Sequence, residues 1–343
     1  MSLVLISTIM LISCKRNFDR IAKEENKYEL TTEVNLKDSS YSQKIEDFYD
    51  SGKEGFFNGE ADVQIYYRIF EQPDTEKAIL ISSGRTEAAI KYKELIFDLA
   101  KNGYAIYILD HRGQGLSGRM TENPDMGYID NFQFYIDDMK YFYDNYLKPE
   151  NYKNSYLLAH SMGGAIGITY LEQHPNDFTA AAFSSPMLGL TPSICSIVEA
   201  LVGDTPEFAL GESEYNDDKT SFEGNTLTGS ELRYDRMIDA FAKEPKARLG
   251  GATYTWVYKS CQQFDYLFSH IDQLKTPFIL FSAENEEIVY PYAHQKFVTA
   301  AKNLGKDCMA YEVENAQHEL LIEKDEQRIE TINETLNFYS RYD

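Results

Sequence analysis

The sequence is short of basic residues, and this shortage excludes one large class of partners. Its 343 residues include 33 lysines and arginines against 55 aspartates and glutamates, which gives a formal net charge of −22. DNA or RNA would be repelled by this charge, and no basic cluster offsets it. A strongly anionic membrane is disfavoured for the same reason, whereas a neutral or zwitterionic lipid meets no such repulsion. We therefore expect no nucleic-acid partner.

Motifs of metal and cofactor chemistry are also missing. The sequence contains neither an HExxH pattern nor a phosphate-binding loop, and no internal repeat is evident. Beyond the amino terminus the only cysteines are Cys195, Cys261 and Cys308. Because they are odd in number and widely spaced, they suggest neither a zinc site nor a disulfide framework, and we expect each to be a small core residue. No metal and no organic cofactor is predicted.

An apolar run at residues 3–12 is too short to span a bilayer, which needs about 20 residues. It ends at Leu11-Ile12-Ser13-Cys14, which resembles a bacterial lipoprotein signal in which the cysteine becomes the lipidated first residue. Residues 1–14 are therefore predicted to be a lipoprotein signal, with Cys14 as the lipidation site and the protein anchored in the cell envelope. Met1-Ser2 supplies no positive charge, unlike the usual secretory signal. A cytoplasmic protein with an incidental cysteine is the alternative.

Strands and helices alternate through most of the chain, which predicts an α/β fold with a mostly parallel sheet flanked by helices. An opening hairpin is predicted, with its second strand at residues 63–70 and its turn centred on Asn58-Gly59. Before it, the polar residues 15–51 are predicted to be a tether that leads into a short helix. The later strands are predicted at residues 78–82, 104–109, 155–160, 179–184, 276–282 and 308–313.

The alternation stops between residues 187 and 271. This stretch has helical apolar spacing in places, a polar middle and no clear strand, so it predicts a helical cap inserted over the carboxyl edge of the sheet. The main unit then comprises residues 52–186 and 272–343. Four apolar residues with the spacing of one helix face are candidates for lining a lipid pocket, with core packing as the alternative: Ile194, Ile197, Val198 and Leu201.

The segment Ala159-His160-Ser161-Met162-Gly163 lies between a predicted strand and the start of a predicted helix. Such a strand-to-helix turn leaves the serine hydroxyl projecting from the sheet edge and admits only small residues at its flanks. Ala159 stands where glycine is usual. The segment predicts that Ser161 is the nucleophile of a serine hydrolase; a chance turn of small residues is the alternative.

A serine nucleophile needs a histidine base, which in this architecture follows the nucleophile and an acid in chain order. His318 lies in the loop after the last predicted strand, where the chemistry requires it. His174, at a helix end, and His294, in a predicted surface helix, look structural. His270 comes too early in the chain.

The acid is expected just after the strand at residues 276–282. No aspartate is available there, and the spacing favours Glu286, which can orient an imidazole as an aspartate does. Glu284 and Glu287 remain alternatives, as does a solvated acidic loop without a catalytic role.

Two backbone amides are needed to stabilise an oxyanion. Met162, directly after the serine, is predicted to supply one of them. Arg85, in the turn after the strand at residues 78–82, is predicted to supply the other, and its side chain could face solvent without affecting this role. In the loop that contains His111 and Arg112, these side chains could bind a polar headgroup, but a structural role in supporting the serine turn is favoured.

Together these motifs resemble the lysophospholipase and monoacylglycerol lipase group of α/β-hydrolases over most of the chain. The lysophospholipase side is the closer match, because it shares the Ser-Gly-Arg type of oxyanion loop and a glutamate acid. Ala159, the lack of His-Gly before Arg85 and the glutamate depart from the wider group. The resemblance is carried by Ser83-Gly84-Arg85-Thr86-Glu87, by residues 110–118, by residues 159–164 and, more weakly, by residues 250–256.

The resemblance implies an α/β-hydrolase fold with an inserted helical cap and triad roles for Ser161, Glu286 and His318. It implies a serine hydrolase that cleaves carboxylic esters of lipids, a lysophospholipid or a monoacylglycerol, through an acyl-serine intermediate and without a cofactor. The expected partner is this lipid ester substrate. Because this fold does not fix the substrate, acyl transfer to an alcohol and amide hydrolysis are alternatives. A non-catalytic envelope lipoprotein that binds lipid is another.

Overall fold

One mixed sheet organises the residues that the computed structural model describes, which are 18–23, 25–217 and 220–343. The predicted lipoprotein signal and Cys14 lie outside these residues. The strands are β1 (Asp19–Arg20), β2 (Lys53–Asn58), β3 (Gln64–Phe70), β4 (Lys77–Ser82), β5 (Ala105–Leu109), β6 (Asn154–His160), β7 (Ala180–Ser184), β8 (Phe278–Ala283) and β9 (Cys308–Val313). Their order in the nine-stranded sheet is β1-β9-β8-β7-β6-β4-β5-β3-β2. Only the pairs β2/β3 and β3/β5 are antiparallel.

Helices cover both faces of the sheet. They are α1 (Glu33–Lys37), α2 (Ser39–Asp50), α3 (Lys93–Lys101), α4 (Gln133–Phe142), α5 (Met162–Gln173), α6 (Pro192–Ile197), α7 (Glu231–Lys243), α8 (Tyr254–Ser269), α9 (Pro291–Asn303) and α10 (Asp325–Tyr339). Residues of α4, α5, α8 and α9 form one core with the sheet, and residues of α2, α3 and α10 form the other. In the described part of the chain, none of the helices combines the length and the apolar composition needed to cross a membrane.

The central strands are buried on both faces, which is why they read as continuous apolar runs. In β6, for example, Leu157 and Ala159 belong to one core, while Tyr156 and Leu158 belong to the other. The predicted mostly parallel α/β sheet is confirmed, and the predicted strands differ from the observed ones by two residues at most.

The opening hairpin has a longer connection than the sequence predicted. Asn58 pairs with Gln64, so that residues 59–63 form the turn and it is not centred on Asn58-Gly59. The Gly59 amide donates to the Val63 carbonyl over 2.8 Å, and the Glu60 amide donates to Asp138 of α4 over 3.0 Å. The contact between Glu60 and Asp138 thus helps to determine the longer turn. A contact between residues so distant in sequence cannot be predicted from the local preference of Asn-Gly for a tight turn.

The prediction of a tether at residues 15–51 is wrong for the described part of that segment. β1 pairs in parallel with the edge strand β9, and α1 and α2 pack onto the main unit with buried Leu36, Ile45 and Tyr49. Buried Thr31 donates from its amide and its hydroxyl to Asp98 over 2.9 and 2.7 Å. The segment is polar because much of its docking relies on hydrogen bonds to side chains that are distant in sequence.

The predicted apolar face of the insert is also wrong. α6 ends at Ile197 and a 3₁₀ turn follows over Val198–Leu201, so the spacing no longer follows one α-helical face. Val198 is buried, whereas Ile194, Ile197 and Leu201 are 39%, 58% and 47% exposed. These residues therefore do not form a lipid pocket.

The two longer helices of the insert have different neighbours. α8 packs against α5, and its Val257, Phe264 and Leu267 belong to the main core. α7 instead contributes to a small separate cluster together with Ala88 and Ile322, which follow β4 and β9. Of the predicted cap at residues 187–271, α7 therefore lies over the carboxyl edge of the sheet, while α8 is an integral part of the core.

Cys195 of α6 and Cys261 of α8 form a disulfide, with their Cα atoms 5.5 Å apart. The expectation of three unpaired core cysteines is therefore wrong for this pair, and Cys308 alone among the three is free. Sequence spacing could not reveal the pair, because the two cysteines meet only when α6 folds back against α8.

Replacing both members of the disulfide, in the double variant Cys195→Ser and Cys261→Ser, is expected to reduce the free energy of unfolding. The cysteines are 66 residues apart, and a cross-link over a loop of that length stabilises by about 4 kcal/mol through the unfolded state. Thermal and denaturant unfolding measure the loss. Cys308→Ser is the matched control and should leave Tm unchanged. A double variant as stable as wild type under oxidising conditions would contradict the disulfide.

Candidate active site

Ser161 lies on a sharp turn between β6 and α5, in a backbone conformation with φ 51° and ψ −120°. This conformation is strained for a residue with a side chain. It is held by the Ser161 amide, which donates to the Ser184 carbonyl over 3.1 Å, and by the Met187 amide, which donates to the Ser161 carbonyl over 2.8 Å. A Cβ atom at Gly163 would lie 2.1 Å from the Ser82 carbonyl oxygen, so glycine is required there.

His318 joins Ser161 to Glu286. Its Nε2 is 2.9 Å from Ser161 Oγ, and its Nδ1 is 2.8 Å from Glu286 Oε2. All three side chains are buried, and they follow β6, β9 and β8 at the same edge of the sheet. The structure therefore brings together the three predicted side chains, which we call the triad; their catalytic roles stay predictions.

Glu286 differs from its two neighbouring acids in position and in its hydrogen-bond partners. Its carboxylate also accepts hydrogen bonds from the amides of Ile288 and Val289, at 2.9 and 3.1 Å. Burial alone would raise its pKa, but the charge and hydrogen bond of His318 outweigh burial and hold the pKa at about 2. Glu284 accepts from the Asn315 amide, and Glu287 is exposed. Glu286 is thus an ionised partner for the imidazole.

The other candidate histidines have different surroundings. His294 is fully buried, with Nδ1 2.9 Å from Ser282 Oγ and Nε2 2.7 Å from the Pro186 carbonyl, so its predicted position on a surface helix is wrong. The ring of His270 stacks on Tyr266, and that of His174 packs against Tyr170.

The amides of Arg85 and Met162 are available as donors. Met162 is the first residue of α5, where backbone N–H groups have no partner within the helix. Among the described residues, neither amide has a hydrogen-bond acceptor. Arg85 and Ser161 line the same cavity. The two predicted oxyanion donors therefore retain free hydrogen-bonding capacity near the serine.

A buried group of ionisable side chains, which we call the charged cluster, lies beside the triad and consists of Glu87, Lys91, His160 and Glu319. Lys91 Nζ is 2.5 Å from Glu87 Oε1 and 2.7 Å from Glu319 Oε2. Burial alone would lower the pKa of Lys91, but the two carboxylates outweigh it and raise the pKa above its ordinary value. Although donor atoms of the other three residues lie within 4.8 Å of one another, as metal ligands can, the lysine ammonium already bridges the carboxylates.

The charged cluster connects the three loops that carry the site. Glu87 accepts a hydrogen bond from the Gly84 amide over 2.5 Å, next to Arg85. The imidazole ring of His160 lies 4.9 Å from that of His318, and its Nε2 is 3.2 Å from Glu319. The sequence analysis did not identify this cluster. The only signal was that His160 and Glu319 adjoin Ser161 and His318 in the chain, whereas nothing singled out Lys91.

The loop at residues 110–118 stabilises the serine turn through hydrogen bonds. His111 Nε2 is 2.9 Å from Ser82 Oγ, which donates to the Gly163 carbonyl over 3.2 Å. Arg112 is buried and donates two hydrogen bonds of 2.7 Å to Asp138. This agrees with the structural interpretation of the loop, because neither side chain is available to a headgroup.

A cavity of about 410 Å³ opens onto Ser161 and His318. Its apolar lining includes Leu227, Leu249 and one face of α7, whose residues have the spacing of an amphipathic helix: Tyr234, Met237, Ile238 and Phe241. The other part of the lining is polar and includes Arg85, Glu212, Glu214, Tyr215 and Arg248. The sequence analysis selected the stripe on α6 and did not identify the spacing on α7, although that spacing is present in the sequence. The cavity therefore has both apolar and charged lining, as a site for an amphiphile needs.

Comparisons with known proteins agree with this geometry. The model of the family described as "Serine aminopeptidase, S33" matches residues 73–325. Lysophospholipase L2 of Escherichia coli (strain K12) is 32% identical over 309 residues, which is 87% of this chain and 90% of that protein. A probable lysophospholipase L2 of Haemophilus influenzae is 29% identical over 304 residues, or 85% and 95% of the two chains.

Among solved structures, the fold is similar to that of a soluble variant of monoglyceride lipase from Saccharomyces cerevisiae, with a TM-score of 0.66 at 16% identity over 85% of this chain and 97% of that chain. The matched family segment extends from just before β4 to the start of α10 and includes every triad residue. The chain therefore belongs to the serine aminopeptidase S33 family of α/β-hydrolases and is similar to the lysophospholipases within it.

Proposed function

We propose that the protein hydrolyses carboxylic esters of lipids, with a lysophospholipid or a monoacylglycerol as substrate. The observation that carries this proposal is His318, which lies within hydrogen-bond distance of both Ser161 and Glu286 at the wall of an amphiphilic cavity. The relatives named lysophospholipase L2 support an ester of a lipid over an amide.

In the first step, His318 takes the proton of Ser161 as its oxygen attacks the ester carbonyl carbon. Glu286 orients the imidazole and stabilises its positive charge, while the amides of Arg85 and Met162 donate to the oxyanion. The bond between the acyl carbon and the glycerol oxygen then breaks, and the proton passes from His318 to that oxygen. Water activated by the same histidine cleaves the acyl-serine and releases the fatty acid.

The insert at residues 187–271 acts in this proposal as a cap, and α7 is the part that touches substrate. Its apolar face would bind the acyl chain and exclude water from the ester. α6, whose large apolar residues are exposed, would not contribute to the chain-binding wall.

We further propose that the protein is a lipoprotein of the cell envelope, anchored by lipid on Cys14. The sequence around Cys14 supports this proposal, and so does the Cys195–Cys261 disulfide, because disulfides persist mainly in oxidising compartments outside the cytoplasm. The first described strand begins at Asp19, so such an anchor would hold the folded unit on a short link.

Ser161→Ala is expected to lower kcat/KM for a lipid ester by roughly 10⁴-fold or more, because the nucleophile is lost. Glu286→Gln should lower it by about 10³- to 10⁴-fold, because the imidazole loses its orienting charge. Glu284→Gln is the matched control on the neighbouring acid and should remain within a few-fold of wild type. A fluorophosphonate probe should label wild type but not Ser161→Ala. Unlabelled, folded wild type would favour a lipid-binding protein without catalysis.

Met237→Trp is expected to shift the substrate preference toward short acyl chains. The larger side chain would fill the apolar wall, and each excluded methylene costs about 0.8 kcal/mol, so that kcat/KM for a long-chain ester should fall at least about tenfold relative to a short-chain ester. Ile197→Trp, on the exposed face of α6, is the control and should leave this ratio unchanged. A shifted ratio in the Ile197 variant alone would contradict the assignment of the acyl wall to α7.

Labelled palmitate is expected to be incorporated into the protein when it is produced in a bacterium, and Cys14→Ser should abolish the label. Globomycin should block maturation of wild type, because it inhibits cleavage of lipoprotein signals before the modified cysteine. A mature, unlabelled protein that retains Met1 would refute the anchor without affecting the proposed hydrolase activity.

A further inference from the structure

Arg85 has unused donors at the cavity wall. Its guanidinium lies 5.4 Å from the ring centre of Trp256 and donates one hydrogen bond, of 3.2 Å, to the Gly250 carbonyl. Its nearest carboxylate is Glu212, at 4.0 Å, which is beyond hydrogen-bond distance. A guanidinium has five N–H groups and remains protonated in proteins. Within the described residues, Arg85 therefore presents a positive charge with most of its donors unfilled, and it does not simply face solvent.

Arg248 is a second guanidinium on the same polar wall. Its Nε donates to the Phe241 carbonyl over 2.9 Å, and it lies 4.9 Å from the ring centre of Tyr215. Its partner Asp217, at 3.4 Å, is 72% exposed, so that this ion pair is screened by water. Two guanidinium groups in one cavity favour a phosphate, which accepts hydrogen bonds from such planar donors.

Acidic side chains on the same wall balance the two arginines. The carboxylate of Glu212 is held by the Ala252 amide over 3.2 Å, and Glu214 lies close by in the lining. Gly250 and Gly251 allow this arrangement, because a Cβ atom at either residue would lie 2.8 Å from backbone atoms of residues 213–215. The wall thus offers groups of both signs, which matches a headgroup that carries both charges.

The length of the Arg85 side chain also suits a glycerophospholipid. In a lysophospholipid acylated at the terminal glycerol carbon, the ester carbonyl carbon and the phosphorus are separated by the same number of covalent bonds as the backbone nitrogen and the guanidinium carbon of arginine. If the Arg85 amide contacts the carbonyl oxygen, the guanidinium of the same residue can therefore reach the phosphate. A monoacylglycerol has no anionic group to pair with this charge, and its hydroxyls can accept only hydrogen bonds to a neutral oxygen.

We propose that Arg85 and Arg248 bind the phosphate of a zwitterionic lysophospholipid and that Glu212 binds its ammonium group, so that the enzyme prefers lysophospholipids to monoacylglycerols. This inference rests on the proposed ester hydrolase function and adds the class of headgroup. Arg85 contributes its amide to the chemistry and its side chain to recognition of the substrate.

The test measures kcat/KM for lysophosphatidylethanolamine and for a monoacylglycerol with the same acyl chain, in wild type and variants. Arg85→Gln keeps the backbone amide, and it should lower the ratio of the two values by about ten- to a hundred-fold, the range expected when hydrogen bonds to a charged group are lost. Arg248→Gln should lower the same ratio and does not alter the oxyanion loop. Arg85→Lys should restore part of the loss. An equal fall for both substrates in Arg85→Gln and Arg248→Gln would overturn the proposal.

Arg236→Gln is the matched control. Arg236 lies on α7 and has an exposure similar to that of Arg85, 28% against 25%, but it contacts Glu46 and is not among the residues that line the cavity. In the Arg236→Gln variant, the ratio of kcat/KM for the lysophospholipid to kcat/KM for the monoacylglycerol should equal that of wild type. Wild type that cleaves monoacylglycerol in preference to the lysophospholipid would overturn the headgroup assignment while leaving the hydrolase intact, whereas wild type that cleaves neither would refute the hydrolase itself.

Glu212→Gln tests the ammonium contact. It should lower kcat/KM for lysophosphatidylethanolamine relative to lysophosphatidylglycerol, an anionic substrate without an ammonium group, by about tenfold. An unchanged ratio between these two substrates would overturn the role of Glu212.

Discussion

The buried ion pairs of Lys91 hold together the loops on which the site depends. The ammonium bridges Glu87 and Glu319, which follow strands β4 and β9, while His160 ends β6 beside the nucleophile. Removing one partner of such a buried pair typically costs 3–5 kcal/mol, because the remaining charge is left without compensation. Because buried Lys91 needs both carboxylates as partners, its ion pairs hold the oxyanion loop and the histidine loop together. The strained turn at Ser161 is supported separately, by backbone hydrogen bonds and by the contact of Ser82 with Gly163.

The character of the cavity is determined by the charged and apolar side chains that line it beside the triad. One face of α7 supplies apolar lining. Residues 212–215, which lie against Gly250 and Gly251, supply part of the polar lining. Ser161 and His318 line the same cavity as both groups of residues. The strongly negative net charge of the chain does not extend to this lining, because the local groups at the cavity are of both signs.

Features set by local sequence could be predicted, and features set by contacts between distant segments could not. The strand-to-helix turn at Ser161 and the loop position of His318 follow from alternation of strands and helices, which is a local signal. The choice of Glu286 among three acids followed from spacing, but only the fold shows its contact with His318. Lys91 and the Cys195–Cys261 pair gave no local signal. The spacing on α6 was misleading, because its helix ends before the pattern is complete.

The insert is divided between two hydrophobic clusters, so that one of its longer helices belongs to the main core and the other borders the cavity. α8 is built into the main core through Phe264 and Leu267, so changes there would disturb the packing of the sheet. Met237 and Phe241 of α7 instead pack in the small cluster over the carboxyl edge. If α7 binds the acyl chain as proposed, substitutions at Met237 and Phe241 change the chain-binding wall without altering the core around the sheet.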